Sequence, residues 1–489
     1  MKTGRRTWGW KDAFSARGYF GKQIAANRGL WFWSAALALI CTLITYPGIF
    51  YSDSYVRVTT GHAVLNNIIM TLKGRGSPLN TENGFTLIPS FFMAGSIWMS
   101  GTVGLYAFLQ AFVFFAAVFL LIQEMNPAWK KVQYVLFACC PLVFGVSTYF
   151  EAGVGCVAGL VVLLLLLRRV PEEKSRADRM LEFFLVVFFS LTVFGYRTNA
   201  LTVTPVLVFY LLRLPCPRLR KATMVLAMAF GIVAVEVIPA IFRVHGLSNG
   251  MTGFVWEILT SIQRMNENER GDYLDYLDEI GGPGSTQRAL ETSTEDSANN
   301  FVWGDALNMS KMSEPEARFL IPRKYIQLIR EKPDVWIRVK ADFFKRTMGL
   351  GPTLDDSEYD YNRWGDMAAY GFNDSLQRRA FYEAYVQTCR IFLFFIGRPW
   401  AVFLASIALA MLDGRRKPER RKLNGLILWT AGFFYGAFLL VNVSFEVRFF
   451  YPSLLLMAVM DGAVMLDVLR RWIDTVGKRV MRKKEAATV

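Results

Sequence analysis

The first apolar run of this chain, Leu30 to Phe50, is long enough to cross a bilayer, and it is followed by many more. A hydrocarbon core about 30 Å thick takes about 20 helical residues. Inside it every backbone N–H and C=O must be satisfied within the structure, which a helix does locally. Further runs follow at Val103 to Ile122, Tyr134 to Phe150, Val154 to Leu167, Leu181 to Phe194, Leu201 to Leu212, Met224 to Phe242, Ile391 to Leu412, Leu426 to Val443 and Tyr451 to Leu466. With 53% apolar residues, 40 Phe and a mean hydropathy of +0.28, the fold class is an all-α polytopic membrane protein.

The net charge of +15 is spread in short basic segments beside these runs, which is the pattern of a membrane protein rather than of a nucleic-acid surface. Lys2 to Arg28 and Arg470 to Lys484 place both termini in the cytoplasm. Lys130-Lys131, Arg168-Arg169 with Lys174, Arg213 to Lys221 and Arg415 to Lys422 fall on the same side only if Phe85 to Trp98 does not cross. The expectation is therefore about ten transmembrane helices plus a re-entrant or surface-lying one. The organisation reads as a cytoplasmic basic segment (1–29), a membrane domain (30–244) with a first outer loop (51–85), an extracytoplasmic insert (245–390), a second membrane part (391–467) and a basic tail (468–489). The first run lacks a small-residue cleavage pattern, so a retained signal anchor in the plasma membrane is expected. The six Cys show neither zinc spacing nor a disulfide framework.

Two outer segments are long enough to build a site. In the first, Leu65, Ile68, Ile69 and Leu72 follow a helical pattern beside Asn66, Asn67 and Lys73, which predicts an interfacial helix; Thr86 to Met99 suits a second. The insert holds more Asp and Glu than Lys and Arg, is broken at Gly281-Gly282-Pro283-Gly284, and carries an amphipathic helix from Tyr325 through Phe343 split near Pro333. Trp256, Trp303, Trp336 and Trp364 serve either as core or as platforms for sugar rings.

At the outer ends of the spans stand Asp53, Glu151, Arg197 with Asn199, and Glu446 with Arg448. Each is read two ways, as a polar residue meeting water at a helix end or as part of a site. Arg197 and Asn199 occupy a short turn between spans, where an arginine fork can grip a lipid phosphate or simply snorkel to headgroups. His62 lies on the first-loop helix as a secondary candidate.

Tyr46-Pro47-Gly48, Ser52-Asp53-Ser54, the amphipathic run to Lys73, and Arg197 before Asn199 together resemble the GT-C superfamily of membrane glycosyltransferases. The resemblance covers roughly residues 30–242 and 391–466 and is topological more than literal. It implies transfer of a sugar from a polyprenyl-phosphate or polyprenyl-diphosphate donor to a glycan or other acceptor hydroxyl on the outer face, in cell-envelope assembly, with inversion. Asp53 would be the general base, and Arg197, with Arg448, Asn199, Glu151, Glu446 and His62, would bind substrate. Where members of one bacterial branch carry His-Pro and Lys-Asp pairs, this chain has Leu87-Ile88-Pro89 and Phe150-Glu151. Ser52 and Ser54 supply no second acid beside Asp53, so no cofactor is implied, and a divalent metal stays open. Two readings from other classes stand beside this one. A transporter or flippase would draw on Glu236 before Pro239, and a non-catalytic envelope scaffold would use the insert alone.

Overall fold

A computed structural model describes residues 18–46, 52–75, 77–81, 87–140, 152–246, 251–294, 304–351, 397–440 and 447–488, with isolated positions between them. The regular structure of the described residues is helical apart from one pair of three-residue strands. Among the described residues five helices are long and apolar enough to cross a membrane, and two shorter apolar stretches, Gly153–Arg168 and Thr198–Arg213, lie among them.

The chain opens with α1 (Tyr19–Ala26) and α2 (Arg28–Thr45), joined through Asn27. Next come α3 (Ser52–Leu72), β1 (Leu79–Thr81) and α4 (Ile88–Ser100), which ends on a left-handed Gly101. α5 (Gly104–Met125), α6 (Lys130–Cys139), α7 (Ala152–Arg168) and α8 (Arg176–Tyr196) follow. A 3-10 turn (Thr198–Val203) leads into α9 (Thr204–Arg213), and then α10 (Arg218–Ile241) and β2 (Val244–Gly246) close the first membrane part.

α5 and α7 form the centre. Phe114, Phe115 and Phe119 of α5 are fully buried, Tyr134 of α6 stacks on Phe119 at 4.4 Å, and the face of α7 from Val154 to Leu167 is closed off from the surface. The surrounding helices leave their outward apolar side chains bare, among them Phe32, Trp33 and Leu43 on α2 and Leu226, Phe230 and Val233 on α10. Apolar residues exposed around a buried apolar centre suit lipid as the surrounding solvent, with helix contact driven by close packing.

The helix ends collect at two rims. At one, Gln123 Nε2 donates to Asn27 Oδ1 at 2.8 Å, Arg168 meets Glu124 at 3.2 Å, and Arg169 pairs with the same carboxylate. Tyr19 OH donates to Glu172 Oε2 at 2.6 Å, and its backbone N–H donates to Asp178. Lys174 Nζ reaches Glu182 Oε1 at 2.5 Å, with both side chains 1% exposed, and Arg220 meets the other oxygen at 3.3 Å. Burial pushes the Lys174 ammonium down, and its Glu182 partner opposes that push. At the other rim, Tyr46 shares a hydrogen bond with Thr102 at 3.1 Å, Asn67 Nδ2 donates to the Phe242 carbonyl at 2.6 Å, and β1 pairs in parallel with β2, Leu79 opposite Val244. These are called the Lys174 rim and the Tyr46 rim below.

α3 differs from its expected amphipathic face. Its buried side is Arg57, Val58, Thr60, Gly61, Val64 and Asn67, whereas Leu72 is 77% exposed and Leu65, Ile68 and Ile69 are half-buried. The reason is close approach: a side chain at Gly61 would come within 3.1 Å of Met93 Cβ and 3.3 Å of the Ser90 carbonyl, so α4 lies on the small-residue side of α3. α4, with 13 residues, is too short to cross a bilayer and folds back beside the Tyr46 rim. Phe91 contacts Phe242, and Phe92 contacts Phe188 and Tyr196.

The insert comprises α11 (Thr252–Gln263), α12 (Glu267–Gly271), α13 (Asp278–Gly281), α14 (Ser285–Thr292), α15 (Met309–Ser313), α16 (Pro315–Glu331) and α17 (Pro333–Thr347). The split at Pro333 falls where the sequence places it. Gly281 to Gly284 is no linker: Asp278 accepts hydrogen bonds from Gly284 N at 2.5 Å and from Thr286 N and Oγ1 at 2.9 and 2.7 Å, which fastens the turn to α14. Trp256 is core, wedged against Phe343 and Phe445, and half-buried Trp336 donates to Tyr325 OH at 2.9 Å. Trp303 and Trp364 lie outside the described residues.

The chain ends in α18 (Pro399–Arg416), α19 (Pro418–Leu440) and α20 (Val447–Thr488). α19 carries the insert. Lys340 Nζ bonds the buried Glu257 at 2.5 Å and the Leu440 carbonyl at 2.6 Å, and Tyr435 OH donates to the Thr347 carbonyl. The insert therefore sits on the Tyr46 rim.

Candidate functional site

Asp53 is the second residue of α3, and its side chain lies outside the described residues. One turn on, at the i+4 position that shares its face, comes Arg57. Arg57 is 3% exposed, its carbonyl accepts from Ser90 Oγ of α4 at 3.2 Å, and α4 in turn sets Phe92 against Tyr196 at the end of α8. A guanidinium drawn this far from water is held by polar neighbours, and Arg57 is not without them.

Tyr196 is fixed by a chain of donors. Gln110 Nε2 donates to the Ser147 carbonyl at 3.2 Å, Tyr106 OH donates to Gln110 Oε1 at 2.9 Å, and the two phenol oxygens stand 2.9 Å apart. Since the Tyr106 proton is committed to Gln110, Tyr196 is the donor between the phenols. The ring packs against Gly155 of α7, where any side chain would overlap it.

Arg197 follows immediately. It is half-buried, its backbone N–H caps α8 on Val193 at 3.2 Å, and its carbonyl takes the Ala200 N–H at 3.0 Å. Asn199 is half-buried in the 3-10 turn. Its carbonyl accepts from Thr202 Oγ1, which also bonds the Phe433 carbonyl of α19, each at 2.8 Å. Its Nδ2 is buried with no hydrogen-bond partner among the described residues.

Of the sequence-chosen residues, Asp53, Arg197 and Asn199 thus belong to elements that meet at the Tyr46 rim. Arg448 lies in the first turn of α20 with its side chain outside the described residues, and Glu151 and Glu446 lie outside them altogether. The neighbours Phe445 and Phe450 put this part of the chain against the insert and α19: Phe450 packs on Tyr435 at 4.5 Å. His62 is half-buried, and burial lowers its imidazole pKa below the ordinary value. Nine residues along α3 separate it from Asp53, a rise of about 13 Å along the helix axis. No group of three His, Cys, Asp or Glu suited to a metal occurs among the described residues.

Sequence reading missed Arg57, Tyr106 and Tyr196. Arg57 carried a signal, being the cation one helical turn after Asp53 in a run otherwise almost free of charge. The tyrosines carried none, because a phenol inside an apolar run is ordinary interface chemistry until its partner is known. Together the rim offers two guanidiniums, an amide and a phenol chain next to the helix start that bears a carboxylate, a donor set suited to an anionic head group. Comparison of the chain with protein-family models, with curated proteins and with solved structures finds no match.

Proposed function

We propose that this chain is an inverting glycosyltransferase of the GT-C type in the plasma membrane. In this reading it crosses the bilayer ten times, in α2, α5, the segment opened by α6, α7, α8, the 3-10 turn with α9, α10, α18, α19 and α20. The basic Lys174 rim and both termini face the cytoplasm, and the Tyr46 rim with its insert faces out. The donor is a sugar on a polyprenyl phosphate or diphosphate, and the acceptor is a glycan or other hydroxyl compound held beneath the insert.

The observation that carries the reading is the packing of the Asp53 helix, with its buried Arg57, on α4, whose Phe92 contacts Tyr196, with Arg197 next in the chain. A carboxylate takes the acceptor proton as the glycosidic bond forms, a contribution of about 10²- to 10⁴-fold. As the sugar leaves its carrier, charge grows on the phosphate, and guanidiniums already fixed in place stabilise it without reorganising. Arg57 is fixed by burial, and the backbone of Arg197 is anchored by the cap that its N–H makes on α8. Asn199 Nδ2 is a spare donor for a phosphate or sugar oxygen. Arg448, Glu151 and Glu446 belong to the same proposed pocket through their places in the chain.

A carrier needs ionisable groups facing its interior. Glu236, the deep acid of α10, is exposed on the outside of the helix bundle, which gives that reading no support.

The test is transfer of labelled sugar from a panel of polyprenyl-phosphate sugars by the purified, reconstituted protein. Asp53→Asn is expected to lower turnover about 10²-fold or more at unchanged expression and melting temperature. Full activity in that variant would remove Asp53 as the general base, and absence of transfer from every donor by the unaltered protein leaves the scaffold or carrier instead.

A further inference from the structure

The last helix bears a surface that the transferase reading does not use. α20 runs unbroken from Val447 to Thr488. Asp467 marks the level at which the rest of the protein lets go of it: Lys417, in the turn between α18 and α19, meets Asp467 at 2.6 Å, and Arg471 meets it at 3.0 Å. Beyond this point Leu469, Trp472, Ile473 and Val476 are 44%, 63%, 44% and 38% exposed. With Met465, itself 60% exposed, they fall on one stripe roughly 100° wide. Arg470, Arg471 and Lys478 lie off that stripe, and from residue 468 onward the sequence holds seven cations against two acids.

Length sets where this surface lies. The apolar segment Phe450–Lys478 has 29 residues, about 43 Å of helix against about 30 Å of hydrocarbon. At a common tilt of about 20° it reaches about 40 Å, so its last two turns stand in the headgroup layer. We propose that Val468 to Lys478 dock on anionic lipid headgroups of the leaflet at the Lys174 rim. Trp472 anchors the stripe in the interface, while the cations bind phosphate. Pairing with a second copy is the less favoured occupant, because it sets the cations of one tail against those of the other. The proposal rests on the topology given above for its sidedness, though not for the lipid contact itself.

The experiment is tryptic cleavage after Arg470, Arg471 and Lys478 in the full chain, held in nanodiscs of phosphatidylcholine alone or mixed with phosphatidylglycerol. Cleavage is expected to be about tenfold or more slower with the anionic lipid, with protection lost at high salt and in a Trp472→Ser, Ile473→Ser variant. Equal rates in the two lipids overturn the proposal; equally slow rates with tail-to-tail crosslinking assign the stripe to a second copy. Nanodiscs expose both faces, so sidedness is read separately. Cleavage by trypsin added to intact cells would overturn the cytoplasmic placement while leaving the lipid result standing.

Discussion

Asp278 shows how a single acid can be structural in a segment whose acidity invites a catalytic reading. Burial raises its pKa, but hydrogen bonds from Thr286 and Gly284 outweigh that and hold the carboxyl below the usual carboxylate range. A group with a lowered folded pKa adds stability that is present above its ordinary value and fades as pH falls through the folded one. Asp278→Asn is therefore expected to cost about 1–2 kcal/mol at neutral pH, seen as a lower melting temperature by tryptophan fluorescence. The gap to the unaltered protein should narrow toward pH 3, and a gap that does not change with pH would contradict this account of the turn. The same scale explains what sequence could and could not reveal. Asp53 and Arg197 were visible as polar residues at the ends of apolar runs, whereas the part played by Arg57 depends on α4 covering it, which no local pattern encodes.

Among elements, the pairing of α7 with α8 positions the site, and it depends on the absence of a side chain at Gly155. Overfilling a packed contact costs about 1–3 kcal/mol, and here it would also displace Tyr196 and the cap beside it. Gly155→Ala should lower both melting temperature and transfer activity. Gly425→Ala on α19, where a methyl group meets nothing within 4 Å, should be neutral or mildly stabilising. Equal effects of the two changes would show that the Tyr196 contact does not matter. Element identity was largely legible: the split at Pro333 and the short helix after Leu87 follow from proline chemistry and run length. The buried face of α3 was not, because close approach selects Thr60 and Gly61, and a search for large apolar residues finds the opposite side.

For the whole molecule, apolar runs and the spacing of basic segments were enough to read a multi-pass helical membrane protein. The seat of the insert was not, since it is made by three polar contacts far apart in sequence: Lys340 with Leu440, Tyr435 with Thr347 and Trp400 with Met348. These contacts seat the insert on the rim that carries Arg57, Tyr196 and Arg197, which is where the proposed transfer would bring acceptor and donor together. The direct test of that claim is a high-resolution map of the protein in nanodiscs with co-purified or added polyprenyl phosphate. The account predicts a phosphate within hydrogen-bond reach, about 3 Å, of Arg197 or Arg57, with the Asp53 carboxylate facing the same cavity. A lipid phosphate bound only at the Lys174 rim, or an Asp53 side chain turned away from any cavity, would contradict it.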